Sequence, residues 1–387
     1  MRSLRVLILL SILLAACSPQ RPQATPVEPT PTSNPATTSA PSATPKPHTT
    51  VDPSSMQHKL LMGYQGWFYC QGDAAGMGWV HWFNGNVPNS DSFRVDMYPD
   101  MRELGDDEKC ATDMRLPNGQ TAYLYSALNP KTTNRHFQWM ADYGIDGVFV
   151  QRFVSELVNP NQRSARTKVV QNVMQGAEAN GRVFAVMYDT SGMDTATLVQ
   201  TIEKDWVELV DKKGVTNSPA YLHHKGKPVV AIWGLGFSGH PGTPADALAL
   251  ANFFANNPNT KYQATLVGGV PTNWRTLNGD SLPDPAWMDY YCALDVLSPW
   301  TVGRYTTDIE VDMYKRIMIE DMQVATACGV EYMPVVFPGT AFHNSDKVNN
   351  AFNATPRRGG RLYWRQIYNA VSIGVPMIYN AMFDEVD

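Results

Sequence analysis

The chain has 387 residues, 43% of them hydrophobic and 11% aromatic, and a formal net charge of −5. That apolar content is ample for a large core, and without a basic excess a nucleic-acid partner is not expected. Beyond the first 17 residues four cysteines remain, Cys70, Cys110, Cys292 and Cys328. None forms a close CxxC pair, so no structural zinc site is expected.

The N-terminus reads "MRSLRVLILLSILLAAC": two arginines, an apolar run from Val6 to Leu14, then small residues before Cys17. This is the layout of a secretory signal, and its run is too short to span a bilayer. Leu14-Ala15-Ala16-Cys17 has the form of a bacterial lipobox, which makes Cys17 the expected lipidation site. The protein is then exported and held at the cell envelope or cell surface by that lipid. An ordinary signal peptide cut near Ala16 is the alternative. From residue 18 to about 55 the chain is Pro, Thr, Ser and Ala with few apolar side chains. Such a segment buries too little surface to offset its ordering entropy, so a disordered tether is expected. Export permits disulfides, and Cys70–Cys110 is the first pair to expect.

Residues 56–387 form the expected folded domain. Its strand-like runs are 60–68 ("LLMGYQGWF"), 147–153 ("GVFVQRF"), 183–189 ("VFAVMYD") and 227–234 ("KPVVAIWG"). They continue with 264–270 ("ATLVGGV"), 295–301 ("DVLSPWT"), 332–339 ("YMPVVFPG") and 375–385 ("VPMIYNAMFDE"). The runs are continuously apolar instead of alternating, as parallel strands covered on both faces require. Amphipathic stretches lie between most of them. The clearest is 193–214, where Asp194 can cap a helix whose apolar stripe is Leu198, Ile202, Trp206 and Leu209. Residues 307–329 and 360–374 behave alike. Eight strands with intervening helices predict an α/β fold, a (β/α)8 TIM barrel with an insertion from Tyr69 to about Tyr123. An open doubly wound sheet is the rival, but "GYQGWF" is a poor match to its Gly-rich turn. No helical pattern follows the last strand, and the expectation is a fragment whose C-terminal helix is missing.

Active sites of such barrels lie at the carboxyl ends of the strands. Those ends supply Gln65, Trp67, Arg152, Asp189, Trp300, Arg304, His343, Asp384 and Glu385. Carboxylates, aromatic rings, amides and guanidinium groups together suit a carbohydrate cleft better than a phosphate site. Asp189 can accept a sugar hydroxyl or act as an auxiliary carboxylate, or it can simply bond the amides of the "DTSG" turn. Arg152 and Arg304 can bond hydroxyls or neutralise Asp189 and Glu385. Trp67 and Trp300 are candidate sugar platforms, and His343 is a candidate contact. The acidic "ELGDDEK" reads as a solvated loop, His223-His224 reads as a turn, and no metal or cofactor is expected.

The body resembles bacterial proteins similar to glycoside hydrolase families 71 and 99. The segments that carry this are "GYQGWF", "GIDGVFVQRF", "FAVMYDTSG", "GKPVVAIWG", "DVLSPWTVGRY", "FPGTAFHN", "RRGGRLYWRQ" and "AMFDEVD". Family 99 includes endo-α-mannosidases and family 71 includes α-1,3-glucanases. The resemblance implies a carboxylate-x-x-Glu motif at the end of a barrel strand. Its first carboxylate falls on Glu385 and its second immediately after Asp387. Asp384 stands where Asn commonly precedes the motif, and Val386 stands where an aromatic residue is usual. Glu385 is then the expected general base, and the residue after Asp387 the expected proton donor, so the fragment by itself is expected to be inactive. The resulting expectation is a surface-tethered, monomeric glycosidase acting on an oligo- or polysaccharide. A non-catalytic carbohydrate-binding lipoprotein on the same scaffold is the alternative.

Overall fold

The computed structural model describes residues 49–347 and 350–386. Cys17, the part of the expected tether up to residue 48, and Asp387 lie outside the described residues. In chain order the elements begin with β1 (Leu60–Tyr64), a hairpin of β2 (Cys110–Arg115) and β3 (Thr121–Leu124), α1 (Pro130–Asp142) and β4 (Gly147–Phe153). Next come α2 (Val154–Leu157), α3 (Pro160–Asn180), β5 (Val183–Asp189), α4 (Thr195–Asp211), β6 (His223–His224) and β7 (Lys227–Trp233). The chain continues through α5 (Pro244–Asn256), β8 (Thr265–Val270), α6 (Trp287–Cys292), β9 (Val296–Pro299) and α7 (Asp308–Cys328). It ends with β10 (Glu331–Tyr332), β11 (Val335–Val336), α8 (Arg361–Ser372) and β12 (Ile378–Asn380).

The parallel strands pair in the order β12-β1-β4-β5-β7-β8-β9-β10, and β11 pairs with β12. Only Met333 and Pro334 separate β10 from β11, so these two are one strand position broken by a proline that has no N–H to give. Met333 N–H still donates to Leu297 O (2.9 Å), and Pro334 O accepts from Tyr379 N–H (3.1 Å). The ring therefore closes with eight strand positions, the expected (β/α)8 barrel.

Local chemistry explains the helices. In α4, Asp194 accepts the Ala196 N–H (3.0 Å), and Leu198, Ile202, Trp206 and Leu209 are buried as one stripe. Thr307 and Glu310 form a capping box on α7. Helices α1, α3 and α5, which the sequence reading did not single out, all start with Pro in the first turn after an Asn or Thr cap.

The outer two expected strands are shorter than the apolar runs that announced them. The N–H groups of Gln65 and Gly66 bond a side chain instead of a ladder, which ends β1 at Tyr64. After Asn380 the chain turns across the rim, where Phe383 N–H reaches Gly63 O (2.8 Å).

The insertion has its own small core of Phe68, Trp79, Trp82, Phe83, Val95, Leu104, Leu124 and Tyr125, with Phe68 and Trp82 stacked 3.8 Å apart. Cys70 and Cys110 are bonded, as expected, and so are Cys292 and Cys328, which join α6 to α7. Among the described residues no helix is long and apolar enough to cross a membrane.

The Cys70–Cys110 bond spans 40 positions in sequence. Replacing both cysteines by Ala frees that loop and is expected to lower the unfolding free energy by about 3–4 kcal/mol. The check is the urea midpoint of the oxidised protein, and an unmoved midpoint would mean that the insertion's core holds without its cross-link.

Candidate active site

A strand presents alternate side chains to its two faces, so each barrel strand sends every second residue inward. Gln151 on β4 reaches Tyr379 Oη on β12 with its Nε2 (3.5 Å), and Tyr379 Oη also meets Met187 Sδ on β5 (3.8 Å) and Met382 Sδ (3.3 Å). These contacts fix the inward set: Gly63 and Gln65 on β1 and its turn, Gln151 and Phe153, Met187 and Asp189, Trp233, Gly269, and Tyr379. Register aligns Phe153, Asp189, Trp233, Gly269 and Ser298 as one layer at the carboxyl rim. Two glycines make room in it. A Cβ on Gly63 would sit 2.0 Å from Met382 Sδ, and one on Gly269 would sit 2.4 Å from Trp233 Cδ1.

Glu385 follows the last strand and is half-buried, with Oε2 accepting from Gln65 Nε2 at 3.4 Å. Asp189 is 7% exposed, and its Oδ1 accepts the Ser191 N–H (2.8 Å). Burial pushes the Asp189 carboxyl up to about 6, against the Ser191 bonds and the nearby Arg166 charge. The Tyr379 phenol is raised far more, first by burial and then by the charges of Glu385, Asp189 and Asp384, with the Gln151 bond opposing. Glu385, Asp189 and Asp384 thus all act electrostatically on one phenol. Around them Gln65 Oε1, Gln151 Oε1, Trp67 Nε1 and Trp233 Nε1 are buried without a hydrogen-bond partner among the described residues. Each such group needs a water or a ligand to offset its lost hydration.

Asp384 has a different task from the substrate contact expected of it. It is 4% exposed, and its two oxygens accept the N–H groups of Gln65 and Gly66, both at 2.7 Å. Burial pushes this carboxyl up to about 6, and the two N–H bonds hold it down. With both oxygens spent on backbone, Asp384 is a clamp on the turn after β1.

Two more expectations need correction. Arg152 does not face the mouth. Its neighbour Gln151 points inward, so Arg152 points outward under α4, where Nε and Nη2 grip Asp205 at 2.8 and 2.5 Å and Tyr188 Oη joins them (3.0 Å). Arg304 neutralises neither Asp189 nor Glu385. It pairs with Asp280 (2.6 Å) and donates to Thr272 Oγ1 (3.0 Å). His343 is pinned in its loop: its N–H donates to Asp96 Oδ2 (3.0 Å) and its Nδ1 lies 2.8 Å from Asn350 O.

The two tryptophan platforms are half-buried and partly engaged by the protein itself. Trp67 stacks on His81 (4.1 Å) and on Phe153 (5.6 Å). Trp300 meets Trp233 edge-on at 5.2 Å, and Trp233 in turn contacts Phe237 and His240. Gln151 and Trp233 stand at strand ends as the sequence implies, and His240, beside Trp233, is the residue it does not announce. The signal for Gln151 was present in "GVFVQRF", because pleat parity admits only one of Gln151 and Arg152 to the interior. Among the described residues no cluster of three or more His, Cys, Asp or Glu side chains could hold a metal ion.

No family model and no curated protein matches the chain. Solved structures do. A GH99 endo-alpha-mannosidase from Bacteroides thetaiotaomicron is 18% identical, with 86% of this chain and 85% of that chain covered and a TM-score of 0.58. A second structure, also described as a GH99 endo-alpha-mannosidase from Bacteroides thetaiotaomicron, gives 17% identity, 86% coverage of both chains and a TM-score of 0.59. At such identity the likeness establishes the fold, the eight-stranded barrel.

Changing Asp384 to Asn keeps one acceptor but turns an amide donor toward a backbone N–H. At neutral pH D384N is expected to cost about 1–3 kcal/mol of stability. The cost depends on pH. Asp384 holds its proton to about pH 6 when folded and to about 3.8 when unfolded. A raised acid stabilises the fold fully below its unfolded value and loses that contribution as pH rises through its folded one. The stability gap between wild type and D384N should therefore narrow between about pH 4 and 6, measured by denaturant titration. A gap that widens over this range would contradict the assignment.

Proposed function

We propose that the protein is a glycosidase that cleaves O-glycosidic bonds of an oligo- or polysaccharide, working as a monomer outside the cell and held there through Cys17. Glu385 beside Gln65, at a rim that also carries Asp189 and unpartnered amide and indole groups, carries this reading. Indole N–H groups donate to sugar hydroxyls, amide oxygens accept from them, and aromatic rings lie against sugar C–H faces.

Glycoside cleavage needs a carboxylate to activate the attacking oxygen and an acid to protonate the leaving one. Glu385, aimed by Gln65, takes the first role. The resemblance puts the second role on the residue after Asp387; among the described residues the candidate for it is Asp189, whose buried carboxyl keeps its proton to about pH 6. Asp384 positions the Gln65 turn and contacts no substrate. The structures with this fold are described as endo-alpha-mannosidases, which makes α-linked mannan oligosaccharides the first substrates to assay, ahead of α-glucans.

Residues 51–58 are bonded into the folded body. Val51 N–H bonds Gly181 O (2.9 Å), His223 N–H bonds Pro53 O (2.6 Å), and His58 N–H bonds Pro376 O (2.6 Å). These partners lie just before or at the starts of β5, β6 and β12, at the barrel floor.

Full-length protein should release reducing sugar from α-linked oligosaccharide, and E385Q should lower kcat by about 10²–10⁴-fold. D189N should lose activity on natural glycosides while keeping much of it on aryl glycosides, whose leaving groups need little protonation. Equal loss on both substrate types would remove Asp189 from the acid role, and full activity of E385Q would remove Glu385 from the mechanism.

A further inference from the structure

The turn after β1 is gripped from a second side by a residue far away in sequence. Arg166, on α3, is 1% exposed. Its Nη1 donates to Gln65 O (2.9 Å) and Gly66 O (3.2 Å). Its Nη2 donates to Glu156 Oε1 (2.9 Å), and its Nε donates to the other oxygen of that carboxylate. Asp384 takes the N–H groups of the same two residues, so the N–H and C=O of both are tied. The guanidinium carbon also lies 4.9 Å from the centre of the Phe153 ring, and Phe153 stacks on Trp67.

We propose that Arg166, anchored by Glu156, is a positioning residue of the candidate site, fixing the Gln65–Gly66 turn so that Gln65 meets Glu385. The inference rests on the glycosidase reading for its catalytic consequence and on geometry alone for the placement. A buried guanidinium costs several kcal/mol to desolvate, and an apolar side chain would fill this volume without that cost. What an apolar side chain lacks is a planar fork that spans two adjacent carbonyls and a carboxylate at once. Lysine carries the charge but not the fork.

The charge has an effect of its own. Arg166 opposes the burial that raises Asp189 and Asp384, and it adds to the burial that holds the His81 imidazole down to about 3. The other groups acting on Asp189 are Ser191 in its own turn and Glu156 on α2. Asp189 also faces Tyr379 on β12, toward which Glu385 and Asp384 act as well. Charge and fork can therefore be separated by two substitutions.

R166K is expected to lower kcat by about 10–100-fold with little change in KM, because the turn loses its fixed position. Its pH–rate limb belonging to Asp189 should stay where it is in wild type. R166M should show the same kcat loss together with an upward displacement of that limb, because the charge has gone. E156Q, which keeps Arg166 but loosens its anchor, covers the case in which R166M does not fold. It should lower kcat in the same direction as R166K. Wild-type kcat in a folded R166K or E156Q would overturn the proposal. So would losses that merely follow the folded fraction with no R166M displacement of the limb.

A measurement without substrate separates this proposal from the glycosidase reading. In protein with 13C-labelled aspartate, the carboxyl titrations of Asp189 and Asp384 should move up in R166M and remain in R166K. Amide exchange at Gln65 and Gly66 should speed up in both variants. If wild type hydrolyses no glycoside, these readings still decide the placement: movement supports it and unmoved signals sink it.

Discussion

Closing a ring of parallel strands requires the last strand to meet the first, and here the last strand offers only three residues, Ile378 to Asn380. Pairing with β1 covers Leu60, Leu61 and Met62 and then stops. Beyond that point one further backbone bond, Phe383 N–H to Gly63 O, is followed by side-chain chemistry: the Asp384 carboxylate takes the Gln65 and Gly66 N–H groups. Asp384 and Glu385 are neighbours in the chain. The contact that closes the barrel rim is therefore also the one that sets Glu385 beside Gln65. Geometry at the candidate base is inherited from closure of the fold, and distortion of either reaches the other.

Pleat alternation organises the rest of the interior. Phe149, Gln151 and Phe153 share one face of β4, and Val148, Val150 and Arg152 share the other. The outward face receives buried charge where a helix can answer it, as Asp205 on α4 answers Arg152. The inward face has no such helix, so its polar groups meet one another, as Gln151 meets Tyr379, or remain unpartnered at the rim. Buried polar atoms left over on the inward face, such as Gln65 Oε1 and Gln151 Oε1, point to ligand or water.

This division accounts for what could be read from the sequence. Eight runs of continuous apolar residues announce eight covered strand positions, and their order around the ring follows from right-handed crossovers between sequential parallel strands. The runs at 147–153 and 183–189 match β4 and β5 to the residue. What the apolar pattern does not contain is where a strand yields to a non-local partner. β1 stops at Tyr64 because of Asp384, 319 positions from Gln65. The same holds for the site residues. Nearness to a strand end suggests Arg152 and Arg304 for the mouth, but their partners Asp205 and Asp280 lie 53 and 24 positions away. Arg166 went unread for the same reason: nothing around it on α3 announces a turn 101 positions earlier.

Burial on this scale sets two groups of ionisable side chains against each other. Asp189, Asp321 and Asp384 are each pushed up to about 6, first by desolvation. His81 and His136 are pushed down to about 3 and about 4 by the same cause. Between about pH 4 and 6 the folded chain keeps protons on the three acids that the unfolded chain has lost, which lowers stability as pH rises. Over the same interval the unfolded chain carries protons on histidines that stay neutral when folded, which raises stability as pH rises. The slopes have opposite signs, so the melting behaviour of the whole protein understates how far its individual groups are displaced. A barrel whose mouth is held together by buried carboxylates can in this way tolerate mild acid without abandoning them. The neutral His81 ring, stacked on Trp67, is one of the groups that supply the balance.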